Sequence, residues 1–121
     1  VNDTYGHAAG DRALAVSTRY VMAHLRPYDK VFRYGGEEFL ICMQDTDMTT
    51  GYEVVERVRQ GLAATPVEYD DKATLQITMS FGLTLLDPDV SVEQSIERAD
   101  KAMYAAKAAG RNCTRIWDPS M

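Results

Sequence analysis

The sequence predicts an α/β protein in which helices pack on a mainly antiparallel sheet. Two short runs rich in β-branched and aromatic residues flank Gly35-Gly36, which predicts a hairpin. Residues 75–85 alternate strictly between apolar and polar, as a half-buried strand does. Three other segments carry apolar residues at helical spacing. The predicted order is helix, strand, strand, helix, strand, helix, strand.

The first predicted helix follows Asp11, a residue type that caps helix N-termini well. Its apolar side repeats at helical spacing and predicts the face toward the sheet: Leu14, Thr18, Val21, Met22 and Leu25. Pro27 ends the helix.

Two acidic residues, Glu37 and Glu38, directly follow the Gly-Gly turn, at the start of a strand that is otherwise apolar. Charged residues at a hairpin tip are usually solvated, so a plain surface turn explains them. A pair of carboxylates is also what a hard divalent cation such as Mg²⁺ prefers. Both interpretations remain open on this pattern alone.

The remaining elements follow from capping and turn signals. A capping box at Thr50–Glu53 predicts the start of the second helix, with Val55, Val58 and Leu62 facing inward. The alternating segment predicts one strand over Leu75–Leu85. A second capping box at Ser91–Gln94 opens a third helix that runs to Ala109, and a short strand covers Cys113–Trp117.

Composition indicates one globular domain of 121 residues, with 45% hydrophobic and 26% charged residues. The net charge of −5 argues against nucleic acid as a partner. No apolar run is long enough to span a bilayer, so we expect no membrane contact by this domain and a cytoplasmic location, with a membrane anchor elsewhere in the parent protein left open.

Three motifs together resemble those of the GGDEF domain, the diguanylate cyclase family. They are Asn2–Asp11 at the start, Arg33–Phe39 around the hairpin turn, and Arg98–Tyr104 with Lys107, Gly110, Arg111 and Asn112 near the end. The resemblance implies a ferredoxin-like βαββαβ palm-type fold like that of nucleotidyl cyclases. It also implies that residues 1–121 are a catalytic GGDEF domain truncated at its N-terminus, because the first strand of the fold is missing from this chain.

The resemblance implies a role for each matching residue. Asn2 and Asp11 would bind the guanine edge of GTP, with Leu14 against the purine, and Gly35 and Gly36 would let the backbone approach the nucleotide. The same resemblance assigns the β- and γ-phosphates to Lys107 and Arg111, a catalytic role to Glu37 and Arg33, and a Mg²⁺ (or Mn²⁺) ion to Glu37 and Glu38. The residues alone also allow two structural explanations. In one, Asp11 serves only as a helix cap, and in the other, Lys107 and Arg111 only interact with the dipole of the third helix.

Arg26-Pro27-Tyr28-Asp29 matches the R-x-x-D site at which cyclic di-GMP inhibits members of this family. An arginine fork and a carboxylate suit phosphate and guanine. Arg57 matches a position that supplies a further arginine in some members, although an ordinary surface arginine explains it equally well.

The implied function is a diguanylate cyclase that condenses two GTP into cyclic di-GMP and two pyrophosphates, with product inhibition. Because one domain binds one GTP, the resemblance implies a homodimer with antiparallel active sites, joined to an upstream sensory or regulatory domain. We expect the 121-residue segment alone to be inactive, since the missing strand carries a metal-binding aspartate and a lysine in this family. The alternative is a non-catalytic cyclic di-GMP receptor; a fold retained only for dimerisation or partner binding is a third possibility.

Overall fold

The computed structural model describes residues 6–35, 38–70 and 73–121. Its elements follow the chain as three helices and six short strands: α1 (Gly6–His24), β1 (Lys30–Gly35), β2 (Glu38–Cys42), α2 (Met48–Ala63), β3 (Val67–Asp70), β4 (Ala73–Leu75), β5 (Phe81–Leu83), α3 (Val92–Ala108) and β6 (Thr114–Ile116). None of the helices in these ranges is long and apolar enough to cross a membrane.

The chain divides into two compact units, which are described separately. Unit 1 comprises residues 1–45 and 60–77, and unit 2 comprises residues 46–59 and 78–121. In unit 1, β1 pairs antiparallel with β2, with Phe32 opposite Leu40 and Gly35 opposite Glu38. The predicted hairpin is therefore confirmed, but Gly35 ends β1 and is not the turn residue that was predicted. Strand β3, which was not predicted, pairs antiparallel with β4 and contacts α1.

Helix α1 differs from its prediction in both its start and its buried face. It begins at Gly6, so Asp11 lies inside the helix and does not cap it. From residue 11 to its end, the buried residues of the helix are Ala13, Ser17 and Val21, spaced four apart. The predicted inward position of Met22 is wrong, because 60% of that side chain is exposed. The small residues at positions 13 and 17 allow close packing on this face of α1. The adjacent face of the helix is therefore not needed for the core.

Unit 2 is built around α3, which packs on the parallel pair β5–β6. Parallel neighbours need a crossover connection, and α3 provides it. The helix comes unusually close to β5 at Gly82, where a Cβ atom would lie 2.1 Å from the carbonyl oxygen of Ala99. Ala102 and Ala106 of α3 are fully buried. Small residues on both elements therefore set the distance between helix and strands.

Two helix starts were predicted from capping boxes, and one of them is wrong. Ser91 caps α3 as predicted, and its box with Gln94 is complete. Helix α2 instead begins at Met48, and Asp47 caps it by accepting a hydrogen bond from the backbone N–H of Thr50 at 2.7 Å. Asp47 offers an ionised acceptor one turn earlier than Thr50, which explains the shift. Val55, Val58 and Leu62 are buried as predicted.

The continuous strand predicted over Leu75–Leu85 is also wrong. The structure has two strands, β4 and β5, separated by residues 76–80. The polar residues of this stretch bond elsewhere: Gln76 donates to the carbonyl of Ala63 at 2.9 Å, and Ser80 accepts from the backbone N–H of Asn112 at 3.1 Å. The alternating pattern correctly predicted that Ile77 is buried. A continuous strand also needs a neighbouring strand for its backbone hydrogen bonds, and side-chain alternation does not provide one.

Candidate functional site

A pocket of about 400 Å³ in unit 1 is lined by residues from two elements. Helix α1 contributes side chains at spacings of three and four residues, which is one helical face, and β1 contributes one arginine. The lining residues are Asp11, Leu14, Ala15, Thr18, Arg19 and Arg33. This is the face of α1 next to the buried row of residues 13, 17 and 21. The structure thus brings Arg33 together with Asp11 and Leu14, the two residues that the family resemblance assigned jointly to the guanine base.

Asp11 supplies a carboxylate to this pocket. The residue is exposed, and in the described part of the chain no side chain pairs with its oxygens. Because α1 begins five residues earlier, the helix does not need Asp11 as a cap. Leu14, one turn further along, is half-buried and adds an apolar wall. A carboxylate beside an apolar wall suits a flat group that carries two hydrogen-bond donors on one edge.

Two arginines give the pocket positive charge although the chain is acidic overall. Arg33 comes from β1, and Arg19 lies two helical turns beyond Asp11. Arg19 and Thr18 were not predicted as pocket residues, because apolar spacing alone does not show which face of α1 turns toward the core. The detectable signal was the four-residue spacing of Asp11, Ala15 and Arg19. The Thr18 hydroxyl donates a hydrogen bond to the carbonyl oxygen of Leu14 at 2.7 Å. Its lone pairs therefore remain available to accept a hydrogen bond from a ligand.

Of the two expected metal ligands, only Glu38 lies in the described part of the β1–β2 hairpin. Glu38 begins β2 opposite Gly35, and its side chain is half-buried. Asn2, Gly36 and Glu37 lie outside the described residues. Across residues 6–35, 38–70 and 73–121 no group of three or more histidine, cysteine or acidic side chains is arranged to hold a metal. The chemistry of the donor set, carboxylate oxygens only, nevertheless fits a hard divalent cation.

In unit 2, the two predicted phosphate ligands lie at the C-terminal end of α3. Lys107 is in the last turn, and Arg111 follows the helix in an exposed position. The helix ends in a Schellman arrangement: the N–H of Arg111 donates to the carbonyl of Ala106 at 3.0 Å, and that of Gly110 donates to Lys107 at 3.3 Å. Three successive residues have positive φ: Gly110 at 119°, Arg111 at 61° and Asn112 at 46°.

Arg26 and Asp29, the predicted inhibitory site, pair with each other in unit 1. The guanidinium donates to both carboxylate oxygens, at 3.0 and 2.9 Å, and the backbone N–H of Arg26 donates a third bond at 2.9 Å. The side chain of Asp29 is completely enclosed, and that of Arg26 is 19% exposed. Burial raises the pKa of Asp29, but the bonds from Arg26 outweigh it and hold the pKa below its usual value. Tyr28 lies under the guanidinium at 4.7 Å, whereas Arg57 is an exposed residue of unit 2.

Comparison with known proteins identifies the family. Residues 1–113 match the family model described as diguanylate cyclase, GGDEF domain, and the chain therefore belongs to the GGDEF family. It is 40% identical over 113 residues to diguanylate cyclase A of Treponema denticola, a match that covers 93% of this chain and 30% of that protein. It is 38% identical over 112 residues to diguanylate cyclase DgcP of Pseudomonas aeruginosa, covering 93% of this chain and 16% of that protein. The chain thus spans less than a third of these relatives.

Solved structures confirm the predicted fold class. The diguanylate cyclase SiaD of Pseudomonas aeruginosa, solved with its activator SiaC, has a TM-score of 0.89 at 37% identity, covering 96% of this chain and 44% of that one. The active GGEEF domain of a diguanylate cyclase from Vibrio cholerae has a TM-score of 0.85 at 30% identity, covering 97% and 74%. The GGDEF domain of DgcB from Caulobacter crescentus, solved with c-di-GMP, has a TM-score of 0.87 at 29% identity, covering 95% and 68%. The fold is the palm-like α/β fold of these cyclases.

Proposed function

We propose that this chain is the catalytic domain of a diguanylate cyclase that condenses two GTP into cyclic di-GMP and two pyrophosphates. In each half-reaction, the 3′-hydroxyl of one GTP attacks the α-phosphate of the other, and the bond to pyrophosphate breaks. The observation that carries the proposal is the shared pocket, in which Asp11 and Leu14 of α1 meet Arg33 of β1. Asp11 and Arg33 belong to two different family motifs, and the pocket residues come from two different elements.

Asp11 binds the guanine in this proposal. Its two oxygens accept from the adjacent N1–H and N2–H donors of the base, and Asn2 serves the O6 acceptor. Leu14 packs against the purine face. Adenine presents an acceptor at N1 where guanine presents a donor, so the carboxylate disfavours ATP. Support comes from the exposure of Asp11 and from its position inside α1, where capping does not require it.

The triphosphate needs cations that the acidic chain as a whole does not provide. Arg33 supplies one in the pocket, and we assign Lys107 and Arg111 to the β- and γ-phosphates. Gly35 and Gly36 allow the backbone to approach the nucleotide. Glu37 and Glu38 would hold Mg²⁺ or Mn²⁺, which neutralises phosphate charge and favours in-line transfer. We also assign to Glu37 the task of accepting the proton of the attacking hydroxyl.

Two such domains must meet, because each binds one GTP and the product contains two. We therefore propose a homodimer with antiparallel sites, regulated by a further domain in a longer protein and acting in the cytoplasm. A cyclic di-GMP receptor without catalysis is the alternative. The complete Gly35–Phe39 signature favours the enzyme, since a receptor does not need metal-binding carboxylates.

Product inhibition at Arg26 is the regulatory part of the proposal, with Asp29 and Arg57 as further ligands. Two features support this part of the proposal. Asp29 orients the guanidinium of Arg26, and Tyr28 is 50% exposed and offers a surface on which a base can stack. Neither Arg26 nor Asp29 lines the pocket, so a dinucleotide bound to them does not need the pocket residues.

The decisive experiment compares Asp11→Asn with the parent in competition binding between GTP and ATP. The amide presents only one acceptor oxygen and loses the charge, so we expect GTP affinity to fall about 10- to 100-fold and selectivity over ATP to fall with it. Asp45→Asn is the matched control. It makes the same change at an exposed residue outside the pocket whose φ of 46° suits asparagine. Unchanged selectivity in Asp11→Asn would refute the assignment.

A further inference from the structure

The loop that carries Arg111 has a backbone conformation that needs external support. Arg111 and Asn112 both have positive φ, at 61° and 46°, a region that side chains other than glycine rarely adopt. Gly110 precedes them with φ at 119°. The two bonds of the helix ending fix Gly110 and Arg111 from one side. Asn112 needs a contact on the other side, since a change of φ there would redirect the arginine before it.

Arg59 of α2 provides that contact. Its Nη1 donates to both the backbone carbonyl and the side-chain Oδ1 of Asn112, each at 2.9 Å. Two oxygens of one residue converge on one nitrogen, which fixes the backbone and side chain of Asn112 together. The N–H of Asn112 donates to Ser80 at 3.1 Å. All these residues belong to unit 2.

Arg59 is itself held in place by other side chains of α2. Its Nε donates to a carboxylate oxygen of Glu56, and the other oxygen of Glu56 accepts from the hydroxyl of Tyr52 at 3.0 Å. The side chains of Arg59 and Glu56 are only 14% and 18% exposed. A surface ion pair with mobile partners would orient nothing. Here a chain of three side chains on one helix ends on the loop of Arg111.

We propose that Arg59 is a positioning residue for nucleotide binding: by clamping Asn112 it presents Arg111 to the terminal phosphates of GTP. The proposal rests on the function proposed above, because it needs Arg111 as a phosphate ligand. It adds a residue outside the family motifs that led to the proposed site. Arg59 acts through the loop and does not contact the nucleotide.

The test is a double-mutant cycle in the full chain, read by calorimetry with Mg²⁺ and two probes, a non-hydrolysable GTP analogue and GMP. Arg59→Ala should weaken the GTP analogue about tenfold and change GMP less than about twofold, because GMP lacks the terminal phosphates. Adding Arg59→Ala to Arg111→Ala should change affinity for the GTP analogue less than about twofold. Lys101→Ala, which removes an exposed positive charge from the same unit, is the control.

A second pair of variants tests the backbone argument even if Arg59→Ala does not fold. Asn112→Gly and Asn112→Ala both remove Oδ1, but only glycine adopts positive φ at no steric cost. We expect Asn112→Gly to retain more affinity for the GTP analogue than Asn112→Ala. Equal losses for GTP and GMP, or additive effects of Arg59→Ala and Arg111→Ala, would overturn the inference while leaving the proposed function intact. A parent protein that binds neither probe would refute both.

Discussion

Gly82 is the position at which the spacing of α3 from its strands can be tested most directly. A Cβ atom there would lie 2.1 Å from the oxygen of Ala99, 2.2 Å from the nitrogen of Met103 and 2.9 Å from the carbonyl carbon of Ala102. Ordinary contact begins near 3.4 Å, so α3 would have to move away by more than 1 Å. All three atoms are backbone, and none can rotate aside. Gly82→Ala therefore forces the helix off its strands.

Overpacking of a tight interior costs about 1–3 kcal/mol, and we expect the upper end because the helix must move as a body. A loss of about 3 kcal/mol lowers the midpoint of thermal unfolding by about 10 °C in a domain of this size. Urea unfolding followed by circular dichroism measures the free energy, and thermal unfolding measures the midpoint. A loss below about 1 kcal/mol would show that the close approach is not required, which would refute the reasoning.

Gly61→Ala is the matched control because it produces an equally short distance with a different kind of atom. Its Cβ would lie 2.0 Å from the hydroxyl oxygen of Tyr20. That oxygen is the far end of a side chain that can swing away, and alanine is better than glycine in a helix by about 1 kcal/mol. We expect Gly61→Ala to stay within about 1 kcal/mol of the parent. Equal destabilisation by both substitutions would mean that distance alone, and not the rigidity of the neighbour, decides the cost.

Three further predictions concern ionisable residues. Asp29→Asn should lower the free energy of unfolding at pH 7. The difference in unfolding free energy from the parent should shrink as the pH falls below the ordinary carboxyl pKa of 3.8, because the stabilisation from a lowered pKa is lost as Asp29 takes up its proton. Urea unfolding at pH 7 and pH 3 measures both free energies, and a constant difference would contradict the prediction. In the full-length parent protein, Glu37→Gln should abolish cyclic di-GMP formation from GTP and Mg²⁺ without changing the unfolding midpoint, with product measured by chromatography; turnover near the parental rate would show that Glu37 is not a catalytic residue. Arg26→Ala should weaken cyclic di-GMP binding at least about tenfold in calorimetry, since charge-assisted bonds are lost, whereas Arg19→Ala, in the pocket, should leave it unchanged; equal affinities of Arg26→Ala and the parent would end the feedback proposal.

Sequence reasoning succeeded where a local signal has one physical meaning. The Gly-Gly turn between β-rich runs predicted the β1–β2 hairpin, and Ser91 with Gln94 predicted the start of α3. It failed where the outcome depended on competition between neighbours. Asp47 and Thr50 are both able to cap α2, and the charged residue one turn earlier does so.

The missed pocket residues follow from a similar limitation. Apolar spacing ranked Leu14 and Met22 above Ala13 and Ser17 as core residues of α1, but small residues allow close packing and are buried instead. Arg19 and Thr18 then fall on the pocket face with Asp11 and Leu14. Periodicity gives the angle between residues on a helix. The direction of the core comes from tertiary packing, which a single sequence does not specify.

The closed pair of Arg26 and Asp29 sets a threshold for any ligand that engages this arginine. A dinucleotide that needs the carboxylate-bound edge of the guanidinium must select the fraction of molecules in which the pair has opened. Its apparent dissociation constant is then the intrinsic value divided by that fraction. Asp29 would thus both hold the arginine in place and lower the sensitivity of the site, so that it responds only when the ligand has accumulated.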